Sequence, residues 1–70
     1  MNEYEFNAML ARQGKKQEDV AKLLGVSIST VSRKIRGESE FKSGEIRMIK
    51  LAFGLSPEEV DLIFFSPRLA

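Results

Sequence analysis

Between Gln17 and Gly37 the chain reads QEDVAKLLGVSISTVSRKIRG, and hydroxyls and cations crowd into its second half. Ser27, Ser29, Thr30, Ser32, Arg33, Lys34 and Arg36 are hydrogen-bond donors and positive charges, a set suited to gripping an anion or reading polar edges. It is not a set that makes or breaks bonds. The 70 residues contain no His and no Cys, which removes the commonest general base, the commonest metal ligand and the thiol nucleophile. The carboxylates cluster mostly at predicted helix starts, as in Glu18-Asp19 and Glu58-Glu59, where they neutralise the positive end of the helix dipole. The sequence therefore predicts no enzyme, no cofactor and no metal site, and no small-molecule ligand is evident.

The charge is as uneven as the hydroxyls. The net charge is +1, yet residues 15–36 alone carry +4, from Lys15, Lys16, Lys22, Arg33, Lys34 and Arg36 against Glu18 and Asp19. Residues 1–14 and 56–70 are negative, at −1 and −2, and residues 37–55 are neutral. A positive segment coinciding with a donor-rich one marks a surface that faces a polyanion. The plainer reading of such a segment is a solvated helix face, and this is the reading retained for Lys22.

A helical frame must position these residues. Phe6, Met9 and Leu10 repeat at helical spacing and predict a first helix from about Asn2 to Gln13, ended by Gly14. A second spans Gln17 to Leu24, with Val20, Ala21 and Leu24 inward and Gly25 as its stop. Ser27 caps a third helix, which runs to about Arg36 with Val31 and Ile35 packing and ends at Gly37. Phe41 plugs the core from the loop that follows. Ser43 is expected to cap a fourth helix with Ile46, Ile49 and Phe53 inward, closed by Gly54. Ser56-Pro57-Glu58-Glu59 is a cap, a first-turn proline and a capping-box glutamate, opening a fifth helix to about Phe65, before Ser66-Pro67. Tyr4 and Phe6 read as N-terminal packing. No stretch alternates with period two, so the expectation is an all-α bundle of five short helices in a single domain spanning residues 1–70. With 43% hydrophobic and 30% charged residues it has the composition of a soluble fold. No apolar run is long enough to span a bilayer and MNEYEF is no signal sequence, so a cytoplasmic location and no membrane association are expected.

The break between the second and third helices is three residues, Gly-Val-Ser. Helices joined so briefly cross steeply, as in a helix-turn-helix. The crossing requires a small residue where the helices approach, met by Ala21. It requires a left-handed residue in the turn, met by Gly25. It requires an apolar residue facing back into the angle, met by Val31. With Gln17, Ser27 and Gly37 also in place, the segment resembles the helix-turn-helix of the Cro/phage-repressor (lambda repressor-like) superfamily of DNA-binding domains. The likeness extends over nearly the whole chain, and SRKIRGESEF followed by a helix and LSPEEVDLIFF resembles small prophage-type regulators. Two departures stand out. Lys15-Lys16 replace an apolar residue and a Ser or Thr cap, leaving the second helix without a side-chain cap but with cations suited to a docked phosphate. Lys34 stands where many relatives bury an aliphatic residue, which predicts that the end of the third helix is slightly rotated.

The resemblance implies a sequence-specific double-stranded DNA-binding regulator, a Cro-like repressor whose third helix enters the major groove of a near-palindromic operator. With Val31 and Ile35 inward, Ile28, Ser29, Ser32 and Arg33 face the bases. Arg33 is placed for a bidentate contact to guanine and Ile28 for a thymine methyl, unless Ile28 packs sideways on Leu23 or Leu24. Lys16, Gln17, Thr30, Arg36, Lys42 and Ser43 are the expected phosphate contacts, since helix N-termini bind anions. Met48, Leu51, Leu62 and Phe65 are surplus to core packing. Relatives pair through this end of the domain, which implies a weak homodimer strengthened on DNA. The rival is a protein-interaction module, an antirepressor or adaptor on the same fold that docks a partner on those apolar residues. Such a module has no use for the cations around the third helix.

Overall fold

The computed structural model describes residues 1–66 and contains helices joined by turns, with no strand among the described residues. The elements are α1 (Glu3–Arg12), α2 (Gln17–Leu24), α3 (Ile28–Ile35), α4 (Ser43–Phe53) and α5 (Pro57–Val60). The last of these runs on without a break as a wider π-helical turn over Asp61–Phe65. The all-α, five-helix expectation holds, and Pro67, expected to follow the end of the fifth helix, lies outside the described residues.

Each helix begins and ends for a local reason. The Asn2 side chain accepts the Glu5 N–H at 3.1 Å and starts α1. Ser27 accepts the Thr30 N–H at 3.1 Å and starts α3. Ser56 and Glu59 cap α5 reciprocally, at 3.1 and 3.0 Å, one side chain answering the other's backbone. As expected, α2 has no side-chain cap, because an ammonium cannot accept a hydrogen bond; instead the Asp19 carboxylate accepts the Lys16 N–H at 2.8 Å. The expectation for α4 needs correction. Ser43 is its first residue and not its cap; Lys42 holds the cap position, and the Glu45 carboxylate accepts the Lys42 N–H at 2.9 Å. At the turn, Gly25 sits at φ 70°, where a side chain would be strained.

The core is one cluster. Phe6, Met9 and Leu10 of α1, Val20 and Ala21 of α2, Val31 and Ile35 of α3, and Ile49 of α4 are joined by Phe41, Leu55, Ile63 and Phe64. At its centre Phe6 stacks on Phe41 with ring centroids 5.6 Å apart, and Phe64 meets both rings edge-on at 5.8 and 5.5 Å. Three distant segments, α1, the loop before α4 and the C-terminal turn, meet there. Tyr4, read from sequence as packing, is instead 76% exposed. The helical period places it on the outer face of α1, away from the stripe formed by Phe6, Met9 and Leu10.

Polar ties close the ends. The Gln13 side chain donates to the Phe53 carbonyl at 2.8 Å, satisfying an end carbonyl of α4. The Asn2 N–H donates to the Ile63 carbonyl at 2.7 Å, docking the chain start on the π-helical turn.

Truncating the aromatic plug should be costly. Phe41→Ala is expected to lower unfolding free energy by about 3 kcal/mol, the scale of a large-to-small change in a packed core. Urea titration followed by circular dichroism checks this, and a loss below about 1 kcal/mol would show that Phe41 does not hold the three segments together.

Candidate nucleic-acid interface

The turn determines which face of α3 is spent on packing. Val31 is fully buried and Ile35 nearly so, both turned toward α2 and the core. The remaining positions face outward by helical geometry. Ile28 is 51% exposed, and Ser29 and Arg33 are exposed with it. Ile28 is therefore not tucked against Leu23 or Leu24, which are themselves half-buried.

Two hydroxyls on this helix are already engaged. Thr30 shares a hydrogen bond with the Ser27 hydroxyl at 3.0 Å, so it forms part of the helix cap. Ser32 is half-buried, and its oxygen accepts from Arg36 Nη1 at 2.9 Å. Arg36 in turn donates from Nε to Glu38 at 2.7 Å. That hydrogen bond and the charge of Arg36 hold the Glu38 carboxyl below the usual carboxylate range, with Arg33 adding to the effect and slight desolvation opposing it. Arg36 is thus occupied by an acid of its own chain, and a phosphate role for it requires displacing Glu38. Ser29 and Arg33 have no such tie.

Lys34 overturns the expected rotation. It is buried between Val31 and Ile35, so the end of α3 keeps the register of a helix with an aliphatic residue there. The ammonium Nζ donates to the Glu40 carbonyl at 3.1 Å and to Glu45 Oε1 at 3.0 Å, and lies 5.8 Å from the centre of the Phe41 ring. Pairing of this kind is what allows a charge inside. Burial pushes the Glu45 carboxyl up, and this is the largest single influence. The Lys42 N–H, the hydrogen bond and charge of Lys34, and the charge of Lys42 together outweigh it, so the carboxyl lies below its ordinary value.

The other expected contact residues sit at helix starts. Lys16 is exposed at the cap of α2, and Gln17 is half-exposed with its amide donating to Asn7 Oδ1 at 3.2 Å. Lys42 and Ser43 are exposed at the start of α4. Sequence reasoning missed Asn7, which orients Gln17 from α1 and carries no local signal, and Glu45, whose place three residues after Lys42 is a legible capping position. At the far end Met48, Leu51, Leu62 and Phe65 are 44%, 75%, 45% and 65% exposed. No helix among the described residues is long and apolar enough to cross a membrane.

A model of the helix-turn-helix family matches residues 7–60, well over half of the chain, taking in α1 from Asn7 through the end of α5 proper. Among curated proteins and among solved structures, nothing matches the chain.

The buried pair makes stability depend on pH with a definite sign. Because the folded Glu45 carboxyl lies below its ordinary value, its contribution is fully present above the range where an unfolded glutamate titrates. That contribution is lost as pH falls through the lowered folded value. Urea midpoints at about pH 7 and about pH 3 should fall less on acidification for Glu45→Gln than for the parent chain. Equal falls would show that the pair plays no part in acid sensitivity.

Proposed function

The chain belongs to the helix-turn-helix family of the Cro/phage-repressor type, and on that premise we propose that it is a sequence-specific double-stranded DNA-binding regulator, a Cro-like repressor. The family points to a DNA-binding regulator; the operator, the repressing role and the contact residues are our reading. One observation carries it. The outer face of α3 presents Ile28, Ser29 and Arg33 to solvent with no packing partner needed there, while every apolar requirement of the turn is met by the opposite face. A purely structural helix has no reason to keep such a face.

In this reading α3 enters the major groove. Arg33 donates to the O6 and N7 of a guanine, and Ile28 meets a thymine methyl. Ser29 and Ser32 allow close approach, with Ser32 held by Arg36. Phosphates are gripped by Lys16, Gln17 and the amides starting α2, and by Lys42 and Ser43 starting α4. Thr30 and Arg36 add to the grip once their present partners give way. The chain acts as one domain.

One inserted helix of eight residues reads few base pairs, too few to find a site against genomic competition. Two chains related by a two-fold axis solve this, with half-sites about 34 Å apart. Met48, Leu51, Leu62 and Phe65 are the apolar residues available for that pairing. The acidic balance of residues 56–70 keeps this end off DNA and also weakens pairing in its absence.

Two measurements test the reading. On a duplex enriched by in-vitro selection, Arg33→Ala should relax preference at one base position, at about 1–3 kcal/mol. Lys42→Ala should weaken all sequences alike and lower the salt slope by about one. Equal losses on selected and random DNA for both variants would make Arg33 a phosphate ligand only. Sedimentation with a two-half-site duplex should give two chains per duplex, and a 1:1 complex at saturating protein would end the dimer proposal.

A further inference from the structure

Among the described residues, Lys34 is the one charged or polar residue that is buried, at 8% exposure. An apolar side chain would fill this position without the cost of removing an ammonium from water. Its partner suggests why a cation stands here. Glu45 is the third residue of α4, and the oxygen that accepts from Lys34 at 3.0 Å also accepts the Lys42 N–H that closes the helix start. The cap of α4 is therefore a carboxylate. On the DNA-binding reading above, Lys42 and Ser43 at this same helix start hold a phosphate. A bare carboxylate there would repel it, because like charges a few ångströms apart near a protein surface interact strongly.

Lys34 reaches Glu45 from the last turn of α3, from inside the fold. The side chain of Lys34 is 9% exposed and that of Glu45 is 19% exposed, so the pair lies behind the surface carrying Lys42 and Ser43. We propose that Lys34 is a positioning residue for DNA binding: it neutralises Glu45 and holds it inward, so the start of α4 keeps a carboxylate cap and still accepts a phosphate. Lys34 itself touches no DNA. Its effect is electrostatic and acts through Glu45, and because the target is a phosphate it is blind to base sequence. The inference rests on the functional reading above and adds to it a residue outside the contact surface.

The test uses the whole chain, a duplex enriched by selection and a random duplex of equal length, with circular dichroism and thermal melting to follow the fold. Lys34→Met keeps side-chain length and removes the charge. It should bind both duplexes roughly fivefold more weakly, the scale of one uncompensated charge at a helix terminus. Adding Glu45→Gln should return affinity to within about twofold, because the amide oxygen still accepts from Lys42 without carrying charge. A packing role for Lys34 would not be repaired by removing a charge elsewhere. A folded Lys34→Met chain that binds like the parent overturns the proposal. So does a folded double variant as weak as Lys34→Met. If the single variant does not fold, the double variant decides: native melting with parental affinity supports the proposal, and either fivefold weaker binding or failure to fold overturns it. A parent chain that prefers no duplex contradicts the DNA-binding reading before any variant is made. The positioning role fails separately, on a parent that does bind.

Discussion

The steep crossing of α2 and α3 is the constraint on which the rest depends. Three residues join the helices, Gly25 takes the left-handed conformation at φ 70°, and Ala21 is small and buried where the helices meet. A β-carbon at Gly25 would have open space around it, so the requirement there is conformational and not steric. Once the crossing is fixed, Val31 and Ile35 must turn into the angle, and the opposite face of an eight-residue helix has nowhere to go but outward. The exposed Ile28, Ser29 and Arg33 thus follow from the turn's geometry. The core serves the same geometry: the aromatic cluster of Phe6, Phe41 and Phe64 braces α1, the loop before α4 and the C-terminal turn around the helix pair.

What was legible in the sequence was whatever is encoded locally. Ser27, Ser56 with Glu59, and the stops at Gly25 and Gly54 mark helix ends through contacts within a few residues, and the helices lie where those signals place them. Phe41 was legible as a plug because a lone aromatic in a polar loop has little other use. What depends on distant partners was not legible. Lys34 suggested a rotated helix because a lysine is seldom buried unless paired, and its partner lies on another helix. Asn7 reaches Gln17 across the gap between α1 and α2. The π-helical turn over Asp61–Phe65 has no period that distinguishes it from an ordinary helix at five residues, and its Ile63 carbonyl is met by the chain's second residue.

The candidate surface differs from the sequence expectation in its degree of freedom more than in its membership. Arg33 and Ser29 are unencumbered, whereas Thr30, Ser32 and Arg36 are bound into local hydrogen bonds and Gln17 is held from α1. A surface of this kind is partly preorganised: some groups are already aimed and some must exchange partners on contact, which divides the cost of binding between ordering and exchange. The exposed Arg36–Glu38 pair is a weak tie of the kind that solvent screens, so its exchange for a phosphate is inexpensive.

The central claim is that the outer face of α3 is the surface that meets DNA. Amide-resolved NMR of the chain titrated with a selected duplex tests it most directly, since every described helix carries its own reporters. The account expects saturable shifts at Ile28, Ser29 and Arg33, with further shifts at Lys16 and Gln17 and at Lys42 and Ser43. Shifts confined to Met48, Leu51, Leu62 and Phe65, with α3 unmoved at saturation, would contradict it and identify the apolar end as the working surface.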